Sequence, residues 1–445
     1  MNDALKNDKI GPLLLKLAIP SICAQLVTLL YNMVDRMYIG HMSNGTLAIA
    51  GVGLCSSLIT IIAAFTNLFG RGGSPLASIS LGSGDHERAN KITSNVFISL
   101  ICTSIILTII IFVWGKPLLY LFGASDQTIA YALDYLRIYN IGIIFVQLSV
   151  GMNYFINCQG YSKFGMMTLV IGSVINIILD PIFIFTFNMG VSGAALATVI
   201  SQAVSAVWVM QFIFSKRSNL RIKKEYLMFD QGIMKEVFGL GISPFFMRST
   251  EGILQISFNR QLLFYGGDIA VSSMTILFSV AQIINLPMEG IAQGSQPIIS
   301  FNYGAKDYKR VKDTINICLK ATLAFSLIVT SIVLITPQTF IKLFTSDTTL
   351  ISASITNLRV YLFGFLTIGS FGVHQQSYTA LGNGKQSFIF AFLRKIVLLI
   401  PLMYIIPYFT GLGVIGVLLA EPISDIIVTI LNAVYFRRFL SKKLS

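Results

Sequence analysis

The sequence predicts an all-α membrane protein of twelve transmembrane helices, arranged as two six-helix bundles related by a pseudo-two-fold axis along the membrane normal. Three observations predict this class: an apolar composition, twelve apolar segments of spanning length, and an internal repeat. Of the 445 residues, 54% are hydrophobic and 11% are charged, and the mean hydropathy is +0.76. Because roughly a quarter of the residues in a soluble domain are charged, this composition is typical of a protein that folds in the bilayer.

Twelve segments are long enough to cross a membrane, since a spanning helix needs about 20 mostly apolar residues. The separation of the fifth from the sixth, and of the eleventh from the twelfth, rests on turn residues at 188–190 and 410–413. Residues 1–11 are polar and lack the pattern of a cleaved signal, so we predict that the first segment is a span. The predicted limits are 13–40, 46–70, 92–114, 128–157, 164–187, 191–215, 236–264, 269–295, 314–336, 350–381, 386–408 and 413–436.

The distribution of basic residues predicts the orientation in the membrane. If the N-terminus is cytoplasmic, the inner segments hold 21 Lys and Arg residues and the outer loops hold two, Lys116 and Lys342. Cytoplasmic loops of membrane proteins are enriched in positive charge. We therefore predict a multi-pass protein of the bacterial cell (inner) membrane with both termini cytoplasmic. Its net charge of +13 is explained by contact with anionic membrane lipid, so no nucleic acid is expected as a partner.

The two halves of the sequence resemble each other at an offset of about 222 residues. The aligned residues include Pro75, Gly82, Asp85 and Arg88 with Pro297, Gly304, Asp307 and Arg310. Near the first helix the offset is 224, which pairs Asp35 with Asn259. Each half has six spans, so both begin on the same side of the membrane. We predict an N-terminal lobe (1–215), a linker (216–235) and a C-terminal lobe (236–445), and we expect a functional monomer because two complete halves can enclose a path.

Several sequence elements resemble the multidrug and toxic compound extrusion (MATE) family, within the wider multidrug/oligosaccharidyl-lipid/polysaccharide flippase superfamily. They are Pro20, Leu30-x-Asn-Met-Val-Asp35, the Gly82/Asp85/Arg88 loop, and Asn176-Ile-Ile-Leu-Asp180-Pro181 followed by Gly193-Ala194-Ala195. The resemblance covers nearly the whole chain and implies a network of residues that responds to protons or sodium. The residues that match this network are Asp35, Asn176, Asp180, Thr198 and Tyr135, with Asn153 as a weaker match.

The positions of Asp35 and Asp180 also point to ion coupling without the resemblance. Asp35 lies about five residues before the outer end of its span and Asp180 about seven, so both lie roughly 7 to 11 Å below the outer boundary. Two carboxylates in one apolar cavity disfavour simultaneous ionisation, so we expect them to take up a proton reversibly or to share a cation. The alternative is structural, with Asp35 paired to Arg36 and Asp180 hydrogen-bonded to Asn176.

Other charges within the predicted spans lie outside this network. Glu251 lies in the seventh span, where one branch of the MATE family has a coupling glutamate, but the matching aspartate of the tenth span is missing from 361–381. Glu251 is therefore open between cation coupling and an ion pair with Arg248 or Arg260. Similar depths predict a buried ion pair between Arg394 or Lys395 and Asp425, with Glu421 nearby. No role is assigned to Glu289 or His374.

These features predict a secondary active multidrug efflux transporter that exports amphipathic, cationic organic compounds by antiport with H⁺ or Na⁺. The alternative is a flippase for a lipid-linked saccharide precursor. An enzyme is disfavoured because the loops are short, and ATP use is disfavoured because the sequence lacks a GxxxxGK[ST] loop. No cofactor or metal is expected, since the five cysteines show neither CxxC nor Cys/His spacing.

Overall fold

The structure is a computed structural model that describes residues 2–42 and 45–444, and in this part of the chain every regular element is a helix. Ten helices are long and apolar enough to span a membrane, and a bent pair, Thr348–Leu362 with Phe365–Ala380, makes an eleventh span. The twelfth arises from a stretch of 74 residues, Gln231–Gly304, that contains two spans. The chain is thus a multi-pass membrane protein.

The first six spans are numbered α1 to α6. They are α1 (Ile10–Gly40), α2 (Gly45–Gly82), α3 (His86–Leu121), α4 (Ile129–Asn157), α5 (Ser162–Thr186) and α6 (Val191–Phe214). The second six are α7 (231–266), α8 (268–304), α9 (Tyr308–Ile335), α10 (Thr348–Leu362 with Phe365–Ala380), α11 (Gly384–Thr410) and α12 (Gly413–Lys443). Short helices precede α1 at Asn2–Asn7, lie in the connection before α7 at Lys224–Tyr226, and follow α9 at Pro337–Ile341.

The long stretch Gln231–Gly304 reverses direction at Gly267. There the backbone has φ 62° and ψ −159°, which is not helical and which only glycine adopts readily. The rings of Phe258 and Phe278 lie 6.0 Å apart, although twenty residues of continuous helix would separate them by about 30 Å. The two arms therefore run antiparallel and form α7 and α8, as the twelve-span prediction requires.

Helix limits differ from the predicted spans mainly in length. The turn signals at 188–190 and 410–413 are confirmed, because Asn188, Gly190, Gly411 and Gly413 all have positive φ. However, α2 continues twelve residues past the predicted limit to Gly82, so Arg71 lies inside the helix and not in a loop. The count of Lys and Arg residues treats everything between two apolar segments alike. It therefore cannot show whether such a residue lies in a loop or in a helix that continues past its apolar segment.

Repeat-equivalent residues occupy equivalent places in the structure. Asp85 and Asp307 cap the starts of α3 and α9, each accepting a hydrogen bond from the backbone N–H of the arginine three residues later, at 2.9 and 3.0 Å. At the crossing of α2 and α8, a Cβ on Gly82 would collide with the carbonyl oxygen of Phe301, and one on Gly304 would collide with that of Ile79. Glycine allows this reciprocal backbone approach, which follows the two-fold relation of the two lobes.

We call the end of the molecule that carries loops 83–85, 158–161, 215–230, 305–307 and 381–383 the basic end, and the opposite end the far end. One hydrophobic core lies within residues 39–195 and another within 258–444, whereas a third draws on both halves, as Leu76 and Phe301 illustrate. Ring pairs Phe65–Phe245 and Phe69–Phe238 extend the contact between lobes to about the middle of the helices. Among the described residues no hydrogen bond or ion pair joins the far halves, and we infer that a cleft between the lobes opens toward the far end.

The predicted linker packs against α3. Three of its backbone N–H groups donate to side chains of that helix: Arg221 to Asn90 at 2.7 Å, Lys223 to Ser94 at 3.1 Å, and Asp230 to Asn95 at 2.8 Å. Asp230 in turn caps α7, so this helix begins at Gln231, five residues before the predicted span. The segment therefore holds the start of the C-terminal half against the N-terminal half.

Candidate functional site

A polar cluster lies inside the N-terminal lobe, where α5 and α6 meet. The side-chain amide of Asn176 donates to Asp180 Oδ1 at 3.3 Å and to Thr198 Oγ1 at 3.4 Å. Thr198 Oγ1 itself donates to the carbonyl oxygen of Ala194 at 3.0 Å. Asn176 and Asp180 share a helix face because they are one turn apart, and a π-helical turn at Ile182–Thr186 follows them. Such turns are frequent at functional sites.

Asp35 of α1 completes this cluster from the opposite wall. Its carboxyl group lies within hydrogen-bonding reach of that of Asp180, although such a bond needs a proton on one of the two. Asp35 is 9% exposed and Asp180 is fully buried. Within the described part of the chain, Asp35 Oδ1 and Asp180 Oδ2 have no hydrogen-bond partner. The pair therefore has the chemistry of a site that holds a proton or a small cation between two carboxyl groups.

Three tyrosines surround the carboxyl pair. Tyr135 of α4 is buried within hydrogen-bonding reach of Thr198, and its ring stacks on that of Tyr139 at 5.8 Å. Tyr31 of α1, which is half-buried, also lies within reach of Thr198 and close to both aspartates. Tyr31 and Tyr139 were missed by the sequence analysis. The available signal was spacing, since Tyr31 lies one turn before Asp35 and Tyr139 one turn after Tyr135.

The five residues Asp35, Asn176, Asp180, Thr198 and Tyr135 are thus brought together, whereas Asn153 and Glu251 lie elsewhere. Asn153 donates to the carbonyl oxygen of Gly165 at 3.2 Å, which lies about 22 Å along α5 from Asp180. Glu251 belongs to the other lobe and forms an ion pair with Arg248 at 2.8 Å. This is one of the two pairings that the sequence left open.

A second charged cluster is buried in the C-terminal lobe. Arg394 of α11 donates to Asp425 at 2.6 Å and to Glu421 at 3.0 Å, both on α12, so the predicted ion pair is confirmed for Arg394. Lys395 does not join it, because its Nζ donates to the carbonyl oxygen of Met247 at 2.7 Å. The guanidinium of Arg394 thus faces two carboxylates, which compensates buried charge.

Exposed polar side chains mark the walls of the cleft. Arg248 and Glu251 are exposed at the middle of α7, and Asn32 and Arg36 are exposed in the far half of α1. Lipid hydrocarbon cannot solvate such groups, so they face water between the lobes. The carboxyl pair of Asp35 and Asp180 lies behind the α1 wall of this cleft.

Two helical lobes with a cleft between them are the architecture of a membrane transporter. The MatE family profile matches residues 20–182 and 245–405, and the chain belongs to this family. It is 28% identical over 408 residues to the multidrug export protein MepA of Staphylococcus haemolyticus, covering 91% of this chain and 89% of the relative. Over 406 residues it is 26% identical to MepA of Staphylococcus aureus, covering 91% and 89%.

Solved structures share the same fold. A multidrug resistance MATE family transporter of the MOP superfamily in its outward-facing conformation superposes with a TM-score of 0.91 at 23% identity, covering 99% of this chain and 98% of that chain. A MOP superfamily transporter from Pyrococcus furiosus gives 0.92 at 22% identity with the same coverage. The family and fold expected from the sequence are therefore confirmed.

Proposed function

We propose that this protein is a secondary active multidrug exporter that expels amphipathic, cationic organic compounds in exchange for inward H⁺ or Na⁺. One observation carries the proposal: the carboxyl groups of Asp35 and Asp180 face each other in a buried polar pocket beside the cleft. The multidrug export proteins to which the chain is similar support export of drugs as the activity. No cofactor is required.

In this mechanism the ion and the exported compound favour different states of the N-terminal lobe. A proton or Na⁺ between Asp35 and Asp180 neutralises charge that is costly to bury, and it draws α1 toward α5. Without the ion the carboxylates repel each other, so the wall of the cleft changes shape. Because linkage is reciprocal, an ion that lowers the affinity for the compound is itself released when the compound binds.

The test is transport by purified protein in proteoliposomes. Efflux of a fluorescent organic cation is measured with a pH gradient alone and with a sodium gradient alone. We expect one of the two gradients to drive transport of the fluorescent cation and the other to have little effect on it. Equal transport without any gradient would contradict the proposal, and transport of a lipid-linked saccharide would support the flippase alternative instead.

We further propose that the protein lies in the bacterial cell (inner) membrane, works as a monomer and has both termini in the cytoplasm, so that the basic end contacts anionic lipid. A tag at Lys223, in the connection before α7, is then expected to be accessible only from inside the cell, and tags at Ala124 and Ser346 only from outside. The measurement is labelling of intact and permeabilised cells. Labelling of the Lys223 tag in intact cells would reverse the orientation.

A further inference from the structure

An ion pair crosses between the lobes at the floor of the cleft. Arg71 of α2 donates from Nη2 to Oε1 of Glu289 on α8 at 3.0 Å. Arg71 lies about 16 Å from the end of α2, and Glu289 about 22 Å from the end of α8, so the pair is at membrane depth. The side chains are 29% and 45% exposed, which leaves the carboxylate open to the cleft. No other role in the mechanism uses these two residues.

The two partners are held unequally by their own lobes. Arg71 also donates from Nε to the hydroxyl of Tyr154 at 3.1 Å, and the Tyr154 hydroxyl donates to Asn67 at 2.8 Å. The guanidinium lies over the Tyr154 ring, 5.5 Å from its centroid. Within its own lobe, Glu289 accepts a hydrogen bond from Gln293 at 2.9 Å.

When the lobes separate at the basic end, the ion pair between Arg71 and Glu289 must break. The two residues are then left with different partners. Arg71 keeps Tyr154 as a partner, whereas Glu289 keeps one neutral amide and becomes an uncompensated carboxylate at membrane depth. Arg248 is electrostatically coupled to Glu289, but its guanidinium already pairs with Glu251 at 2.8 Å. An unpaired charge at this depth is costly unless a cation replaces the one that has left.

The same movement would expose aromatic rings on α2 and α7, in the same interface between the lobes. Phe65 and Phe69 of α2 pack on Phe245 and Phe238 of α7, with ring centroids 5.2 and 5.5 Å apart, across the same interface. Parting the lobes would separate these rings, so one interface would then present both aromatic faces and an acidic group. This combination recognises an amphipathic organic cation, since the rings bind both its apolar part and its charge.

We propose that Glu289 binds the cationic group of the exported compound when the lobes part at the basic end, and that Arg71 takes its place when they close. Arg71 thereby displaces the compound toward the far end of the cleft. The inference rests on the export function proposed above and assigns its substrate-binding carboxylate. The protein would then select cationic compounds because the carboxylate that binds them pairs with the cation of Arg71 when the cleft is closed at the basic end.

The test is equilibrium binding of tetraphenylphosphonium, a permanent monocation, to the full chain in lipid nanodiscs. Glu289→Gln and Arg71→Gln break the same ion pair, so both release the same contact between the lobes. Glu289→Gln is expected to weaken binding about tenfold, the effect of losing a charged partner. Arg71→Gln is expected to tighten binding about tenfold, because the competing guanidinium is gone.

Controls come from a second ion pair between the lobes. Arg88 and Glu236 pair at 2.7 Å nearer the basic end, outside the cleft, so Arg88→Gln and Glu236→Gln are expected to change binding equally and by a small factor. The double variant Arg71→Gln/Glu289→Gln, which keeps the size of both side chains, is expected to bind as weakly as Glu289→Gln. Size-exclusion chromatography checks that each variant is folded.

Effects of the same sign for Arg71→Gln and Glu289→Gln, tight binding by the double variant, or no binding by the wild type would overturn the inference. Because binding needs no ion gradient, its failure is distinguishable from failure of the proposed function. If Arg71→Gln and Glu289→Gln change binding in opposite directions but no gradient drives export, antiport is refuted and the binding site at Glu289 is retained. If a gradient drives export but the two variants change binding in the same direction, the binding site at Glu289 is refuted and antiport is retained.

Discussion

Because the two halves of the sequence are repeats, a residue in one half can be compared with its equivalent in the other. Asp35 and Asn259 occupy equivalent positions on α1 and α7, one with an ionisable group and the other with a neutral amide. If coupling belongs to the N-terminal lobe, Asp35→Asn should lower gradient-driven export by about tenfold or more, the scale of a coupling free energy. Thermal stability in detergent should not fall, because the amide keeps the size of the side chain and removes only a charge that is costly to bury.

The control for Asp35→Asn is Asn259→Ala, which removes no charge and should reduce export less. Both variants are compared at matched expression. Normal export by Asp35→Asn, or an equal loss in both variants, would contradict coupling in the N-terminal lobe and redirect attention to Glu251.

Tyr31 is one of the two tyrosines of the site, with Tyr139, that the structure revealed. Its hydroxyl lies near Thr198 and both aspartates, so Tyr31→Phe, which removes this polar group from the site, should weaken binding of the coupling ion by about threefold to tenfold. The measurement is the ion concentration that gives half-maximal export, which should rise. Tyr38→Phe on the same helix is the control, because the Tyr38 ring packs on Phe185, and both residues lie nearer the far end than Asp35 and Asp180. A shift of the same size in Tyr38→Phe would remove Tyr31 from the site.

Residue type and depth were enough to predict most of the candidate site. Asp35 and Asp180 are rare charges within apolar segments, and Asn176 lies one turn from Asp180. Tyr31 carries only the weaker signal of its spacing, one turn before Asp35, since tyrosines are frequent in this chain and only the packing of α1 on α5 and α6 brings this one to Thr198. The pairing of Arg71 with Glu289 was equally hidden, because two residues 218 positions apart meet only when the lobes associate.

Among the helices, close backbone contact holds the lobes together. A Cβ on Gly241 of α7 would collide with the carbonyl oxygen of Leu68 on α2, whereas one on Gly239 would meet nothing within 4 Å. Gly241→Ala should therefore destabilise the protein by about 1 to 3 kcal/mol, as overpacking does. Gly239→Ala, two residues away, should be neutral or stabilising by up to about 1 kcal/mol, because alanine favours the helix.

The measurement for this pair of variants is the free energy of unfolding, or the Tm, in the same detergent. Equal stability of Gly241→Ala and Gly239→Ala would show that the contact between α2 and α7 is loose in solution. Gly241→Ala should also bias the protein toward states in which the basic end is open, since the added methyl group pushes the two helices apart.

Apolar runs predicted the helices well but not where each helix ends. The pair α7 and α8 was found because residues 265–268 interrupt the apolar pattern, although the backbone departs from helical geometry only at Gly267. The extension of α2 to Gly82 was missed, because residues 71–82 are rich in glycine and serine and lack the apolar pattern. That segment is helical because it packs against α7 and α8, as Gly72 and Gly82 illustrate, and tertiary contact of this kind leaves no local signal.

Considered as a whole, the molecule has one closed end and one open end. The lobes meet from the basic end to the middle of their helices, and the cleft with its polar walls opens at the far end. Export by alternating access requires the converse state, in which the basic end is open. The structure is therefore one of the two states, and preventing its exchange with the other should stop transport.

A reversible crosslink tests this exchange. In a background without the native cysteines, Phe69→Cys and Phe238→Cys place two thiols across the lobes where the native rings lie 5.5 Å apart. Joining them with a bifunctional methanethiosulfonate should abolish the export that the uncrosslinked double variant retains, and a reducing agent should restore that level. The control pair Phe164→Cys/Trp208→Cys joins two positions within the N-terminal lobe, whose rings are 4.5 Å apart, and should leave export unchanged.

Comparing the two crosslinked proteins shows whether export requires the lobes to move relative to each other as rigid units. A crosslink within one lobe constrains only residues that keep their relative positions when a lobe rocks as a body, whereas a crosslink between lobes opposes that rocking directly. Substrate binding from the far end should survive the crosslink between the lobes, because the cleft stays open there. Full export by the crosslinked Phe69/Phe238 protein would mean that the basic end need not open, and the compound would then have to follow another path.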